Sequence, residues 1–234
     1  MSDDNSLENN KTGEFIRSVH KFVEGGKRLS DEELDSMIDQ LGLEKVGMGA
    51  ECVVVSSPKL DRERKVLAVS YKGEKEPYET FYLQRIYSTL FPKNFPKFYM
   101  AGKSGFTQRE RVTGSGLDGK NYLVGDGKDW EGIATNFSGV YEFQKLVDPP
   151  VFIDDTSGNF MISTEGDVVF VDTLEHKGVS LQKPVWDITK VRKYMEEHNY
   201  KDTEMRRVMN SINRLIVLGF AESKTPETKL VRTN

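Results

Sequence analysis

Apolar residues recur along this chain at two different periods, and the change from one to the other divides it. Between Thr12 and Glu24, Phe15, Ile16, Val19 and Val23 fall on one helical face, and Gly25-Gly26 stops the run. Ser30 with Glu33 three positions on forms a capping box, and Leu34, Met37, Ile38 and Leu41 keep helical spacing until Gly42. Residues 1–10 are polar and Asn/Asp-rich, and with almost nothing to bury they are expected to form a disordered leader. From Leu43 the period becomes extended. Cys52-Val53-Val54-Val55 and Val66-Leu67-Ala68-Val69 read as an antiparallel strand pair joined by a polar turn, Ser56 to Lys65.

A helix is expected from Pro77, a residue suited to the first helical position, carrying Tyr78, Phe81, Tyr82 and Leu90 towards a core until Phe91-Pro92. Phe98-Tyr99-Met100 and Arg109 to Val112 suggest short strands. Thr113 to Lys128 is glycine-rich and reads as loops around one strand, Tyr122 to Val124. A helix follows over Trp130 to Val147. Phe160-Met161-Ile162 and Val168 to Val171 then form a hairpin about Glu165-Gly166-Asp167, before helices over Trp186 to His198 and Asp202 to Leu218 and a polar tail. Strands first, then mostly helices, give an α+β plan with two lobes. No internal repeat is visible.

Composition narrows the function classes. The 33 basic and 37 acidic residues are well mixed and sum to a net charge of −4, which disfavours nucleic-acid and anionic-membrane binding. The single cysteine, Cys52, excludes an internal disulfide framework and a Cys-rich zinc site, and fits a reducing, cytoplasmic setting. His20, His176 and His198 lie too far apart for a local metal motif. No stretch approaches the roughly 18 apolar residues of a membrane span, and neither a signal peptide nor an anchor is visible.

Two segments carry candidate chemistry. Asp154 and Asn159 stand at the two ends of the loop Asp154-Asp155-Thr156-Ser157-Gly158-Asn159, and Asp172 follows the second strand of the hairpin, so the hairpin would bring all three to one edge. These are the residue types that phosphoryl transfer needs: oxygen ligands for magnesium and a carboxylate beside the accepting hydroxyl. Asp155 takes the place of Asp154 if the register slips by one. Taken alone, the loop also reads as an ordinary turn of Asp, Ser, Gly and Asn. In Val46-Gly47-Met48-Gly49-Ala50-Glu51-Cys52, Gly47 and Gly49 sit in a turn between strands, where the missing Cβ lets backbone N–H groups approach a phosphate.

In these segments the chain resembles the protein-kinase-like superfamily. An Asp, an Asn five positions later, an apolar strand, a turn, a second apolar strand and an Asp are that superfamily's catalytic loop and metal-binding segment. The loop is more similar to the compact branch, which includes atypical kinases of the Rio type, lipopolysaccharide kinases and aminoglycoside phosphotransferases. No Ala-Pro-Glu segment follows Asp172. The resemblance implies Asp154 as the catalytic base, Asn159 and Asp172 as magnesium ligands, and Gly47 and Gly49 as the loop covering the nucleotide's phosphates. It implies Lys72 as the phosphate-anchoring lysine, displaced two positions from the usual place, where this chain has Ser70. Glu79 would be its ion-pair partner, with Glu76 the alternative. Glu110 to Val112 would hold the adenine through the backbone, and Asp187 would brace the catalytic loop. Phe152 stands where the family usually keeps a histidine.

The expectation is a bilobal protein-kinase-like α+β fold: an N-terminal extension over 1–42, a small antiparallel-sheet lobe over 43–112 and a reduced helical lobe over 113–234. Its cofactors would be ATP and Mg2+, and its acceptor a hydroxyl of a protein or small molecule. A pseudokinase that keeps the fold as a nucleotide-binding or scaffolding protein is the alternative. The two opening helices either dock on the small lobe or bind a protein partner.

Overall fold

A computed structural model describes residues 3–26, 29–48, 52–71, 77–116, 135–151, 153, 157–172, 174 and 183–224. The chain is a mixed α+β protein that divides into two compact units, Met1–Phe81 with Pro96–Val112 and Tyr82–Phe95 with Thr113–Asn234. The last division falls between Val112 and Thr113, and Tyr82–Phe95 groups with the second unit.

The first unit is built on helices α1 (Asp3–Glu24) and α2 (Asp31–Gln40) and on strands β1 (Glu44–Met48), β2 (Cys52–Ser56), β3 (Lys65–Ser70), β4 (Phe98–Gly102) and β5 (Phe106–Glu110). The strands form one antiparallel sheet in the order β1-β2-β3-β5-β4. β3 is central, and Val66 to Ser70 are buried on both faces, as expected of an unbroken apolar run. The capping box of α2 is formed: Glu33 N donates to Ser30 Oγ at 3.2 Å, and Ser30 N donates to Glu33 Oε2 at 2.8 Å. Alternation then decides what each strand covers. Val53, Val55, Leu67 and Val69 share a core with Phe15, Val19, Leu34 and Ile38, so α1 and α2 cover one face of the sheet. The opening helices are part of this unit's core.

Two expectations fail here. α1 begins at Asp3, not Thr12, so 3–10 continue the helix where a disordered leader was expected. Extending a formed helix adds one hydrogen bond per residue fixed, which a polar segment can do without a core. The polar connection between β2 and β3 contains a short helix, α3 (Pro58–Arg62), with Ser57 as its cap and Pro58 at its first position. Buried Leu60 anchors it to the same core.

The second unit contains the larger part of α4 (Pro77–Leu90), then α5 (Ser138–Gln144), α6 (Ile188–Glu197) and α7 (Asp202–Val217). It also has two three-stranded sheets. One is antiparallel, β6 (Gly114–Gly116), β8 (Phe160–Ser163) and β9 (Val168–Phe170), with β8 in the middle. The other places β10 (Val185–Asp187) between β7 (Val147–Asp148), antiparallel, and β11 (Glu222–Lys224), parallel. Three boundaries therefore differ from the sequence reading. The helix expected to reach Val147 ends at Gln144, Trp186 and Asp187 lie in a strand and not in a helix, and the polar tail includes β11. The strand expected over Tyr122 to Val124 lies outside the described residues. The core is aromatic: Phe95, Phe137, Phe143, Phe160, Phe170 and Trp186 are all buried, with tilted and edge-on ring contacts from 5.3 Å between centroids.

Candidate functional site

The β8–β9 hairpin carries two of the expected site residues. Its ladder pairs Phe160 with Phe170, Met161 with Val169 and Ile162 with Val168. Gly166 takes the positive φ of +87° that its turn requires. Phe160 and Phe170 pack edge-on against each other, and Phe137 and Phe95 pack against them in turn, so the hairpin is fixed from behind by rings. One turn of 3-10 helix, Ser157–Asn159, enters β8. Val171 N donates to Asn159 O at 2.8 Å, which extends the ladder by one step beyond its last strand pair. Asn159 is thus opposite Val171, and Asp172 is the next residue. The structure brings Asn159 and Asp172 to the same end of the hairpin, both half-buried.

The supporting bonds come from helices of the same unit and from the turn that follows α4. Asn94 Nδ2 donates to Val168 O at 3.2 Å, and Asn94 O accepts from Phe170 N at 2.8 Å. Gln84 Nε2, on α4, donates to Asp172 O at 2.9 Å. Gln144 Nε2, at the end of α5, donates to Val151 O at 2.9 Å and so holds the chain three residues before Asp154. Sequence periodicity did not single out these amides. Their only signal was a polar residue at core spacing: Gln84 lies one position after Leu83 and three before Tyr87.

Asn159 and Asp172 supply oxygen donors, the hard ligand type that magnesium prefers, so they fit that ion. Among the described residues no group of three or more His, Cys, Asp and Glu gathers, and further donors would come from elsewhere in the chain or from water. Asp154, Gly49 and Lys72 lie outside the described residues, as do Asp155, Glu51, Glu76 and Phe152. Glu79 is half-buried in the first turn of α4.

In the first unit, Gly47 stands in β1 just after a β-bulge, opposite Val54. Register continues the row across the sheet: Val54 faces Ala68, and Ala68 faces Thr107. This row of small residues went unnoticed in the sequence because it exists only across strands. Ala68 and Thr107 are buried, while Val54 and Gly47 are half-buried. Ser70, opposite Cys52, is buried too, and its Oγ has no hydrogen-bond partner among the described residues.

Glu110 ends β5, and its N–H donates to Lys97 O at 2.8 Å. Arg111 N donates to Arg64 O at 2.8 Å. Arg111 also forms a two-pronged pair with Glu44, at 2.9 and 3.2 Å, and reaches Asp61 Oδ1 at 2.6 Å. The Glu44 hydrogen bond holds the guanidinium in its charged form. The N–H groups of Glu110 and Arg111 are therefore engaged within the first unit. In the second unit Asp187 caps α6, accepting from Lys190 N at 3.1 Å, and its own N–H donates to Leu146 O. The hydrogen bond its carboxylate accepts from Lys190 N, with Lys190's ammonium 3.3 Å away, holds that carboxyl below the usual aspartate range.

No protein-family model matches this chain, and no curated protein is significantly similar to it. No helix among the described residues is long and apolar enough to cross a membrane.

Proposed function

We propose that this chain is an ATP- and magnesium-dependent phosphotransferase of the protein-kinase-like superfamily, of the compact branch, acting on a hydroxyl of a protein or small molecule. The observation that supports it most is the meeting of Asn159 and Asp172 at one end of a hairpin, carried there by the Val171–Asn159 ladder bond. Two oxygen donors on adjoining strand ends, held by an aromatic core, are the kind of rigid pair a hard divalent ion needs. Magnesium bound there would neutralise charge on the transferring phosphoryl group. Asp154 would orient the accepting hydroxyl, and Gly47 and Gly49 would present backbone N–H groups to the phosphates. Lys72, paired with Glu79, would hold the outer phosphates. Adenine would pack on the half-buried Val54 side of the small-residue row, and a backbone contact to it would fall to Val112, since the N–H groups of Glu110 and Arg111 are engaged.

Ser70 favours a second reading, a pseudokinase that binds nucleotide or serves as a scaffold without transfer. It occupies the place in β3 where the family keeps its lysine, and its buried side chain cannot supply a charge. Thermal unfolding with and without ATP and magnesium, in wild type and Asp172→Ala, separates the readings when combined with an ATP-turnover assay. Enzyme function requires stabilisation lost in Asp172→Ala and turnover lost in Asp154→Ala. Magnesium-dependent stabilisation without turnover supports the pseudokinase. Absence of any nucleotide response in wild type overturns the enzyme and the nucleotide-binding pseudokinase and leaves only the scaffold.

A further inference from the structure

We infer that Gln84 is a positioning residue for Asp172, an inference that rests on the phosphotransferase reading. Gln84 is completely buried in the middle of α4, between Leu83 and Ile86 and one turn from Tyr87, all core residues. An amide in such surroundings is disfavoured unless its hydrogen bonds are made. Its Nε2 donates to Asp172 O, 88 residues away in sequence, while its Oε1 has no partner among the described residues. Packing alone would be served better by a methionine or leucine of similar size. What the amide adds is the bond to Asp172.

That bond completes a series. Residues 167, 169 and 171 of β9 and its flanks face β8, and the alternate residues turn their backbone groups outward. Val168 O and Phe170 N are taken by Asn94, and the next outward group, Asp172 O, is taken by Gln84. The strand ladder ends one residue earlier, with Val171 N on Asn159 O. Asp172 is therefore the first residue past the ladder, and its carbonyl is held by a side chain. Its carbonyl and its Cβ share one Cα, so fixing the first restricts where the carboxylate can lie. A group that orients a metal ligand in this way commonly changes metal affinity ten-fold or more when removed.

The test compares full-length wild type with Gln84→Met, which keeps the volume and removes the amide. Three measurements are made: the unfolding midpoint without ligand, the carbonyl 13C shift of Asp172 in the ligand-free protein, and the magnesium concentration giving half of the ATP-dependent stabilisation. Gln84→Met is expected to keep or raise the midpoint, to shift the Asp172 carbonyl resonance, and to need about ten-fold more magnesium. Gln84→Asn, which keeps the amide on a shorter arm, is expected to show the same weakening and serves where Gln84→Met does not fold. An unchanged magnesium requirement in a folded variant overturns the inference while leaving the phosphotransferase reading intact. A wild type that does not respond to ATP and magnesium overturns both.

Discussion

Asp187 shows how one side chain can serve a fold without touching a reaction. It caps α6, and replacing it with alanine is expected to cost about 1 kcal/mol at neutral pH, measured by urea unfolding. Because its carboxyl titrates lower in the folded chain than in the unfolded one, the contribution is present above the unfolded value and lost as pH falls through the folded one. The gap between wild type and Asp187→Ala should therefore close below about pH 4. Gly114 is constrained differently. A Cβ there would lie 1.9 Å from Ile162 O, a backbone atom that cannot swing aside. Gly114→Ala is expected to break the β6–β8 pairing at a cost of about 2 kcal/mol or more, with faster amide exchange over 114–116 as the readout.

Among elements, α1 and α2 determine the most. The apolar stripe of α1 and the capping box of α2 were legible in sequence because helical period and caps are local properties. Their destination was not: the stripe specifies that a face must be buried, without naming the surface that buries it. The packing of Phe15 and Leu34 against Val53, Val55, Leu67 and Val69 resolves this. Phe15→Ala should destabilise the first unit by about 3 to 5 kcal/mol in denaturant unfolding. A chain begun at residue 43 should expose that apolar sheet face and aggregate, visible as loss of soluble monomer on size-exclusion chromatography. The same limit explains the strands mistaken for helix or tail. Trp186 and Ser223 become strand residues only by pairing with each other, with Val147 on the far side of Trp186, across gaps that no local period spans.

At the scale of the molecule, the two units have separate hydrophobic cores. Hydrogen exchange should reveal them one at a time: Phe15→Ala is expected to speed exchange first in β2 and β3, and Phe143→Ala first in α5 and α6. Equal acceleration in both units from either substitution would contradict this. The candidate site divides along the same line of legibility. Asn159 and Asp172 could be placed from sequence because a hairpin is a local structure whose register follows from two apolar runs and a glycine turn. Gln84, Asn94 and the row Gly47, Val54, Ala68 and Thr107 could not.

The sequence by itself determined the apolar stripes of the two opening helices, the capping box of α2, the valine-rich strands, the β8–β9 hairpin and, through it, the neighbourhood of Asn159 and Asp172, since each depends on residues a few positions apart. Tertiary structure alone decided which face of the first sheet the opening helices cover, which segments complete the second unit's sheets, and which buried amides hold the backbone at Asp172. Those outcomes turn on hydrogen bonds and apolar contacts between residues tens of positions apart. No single partner's local sequence states its half of such a contact.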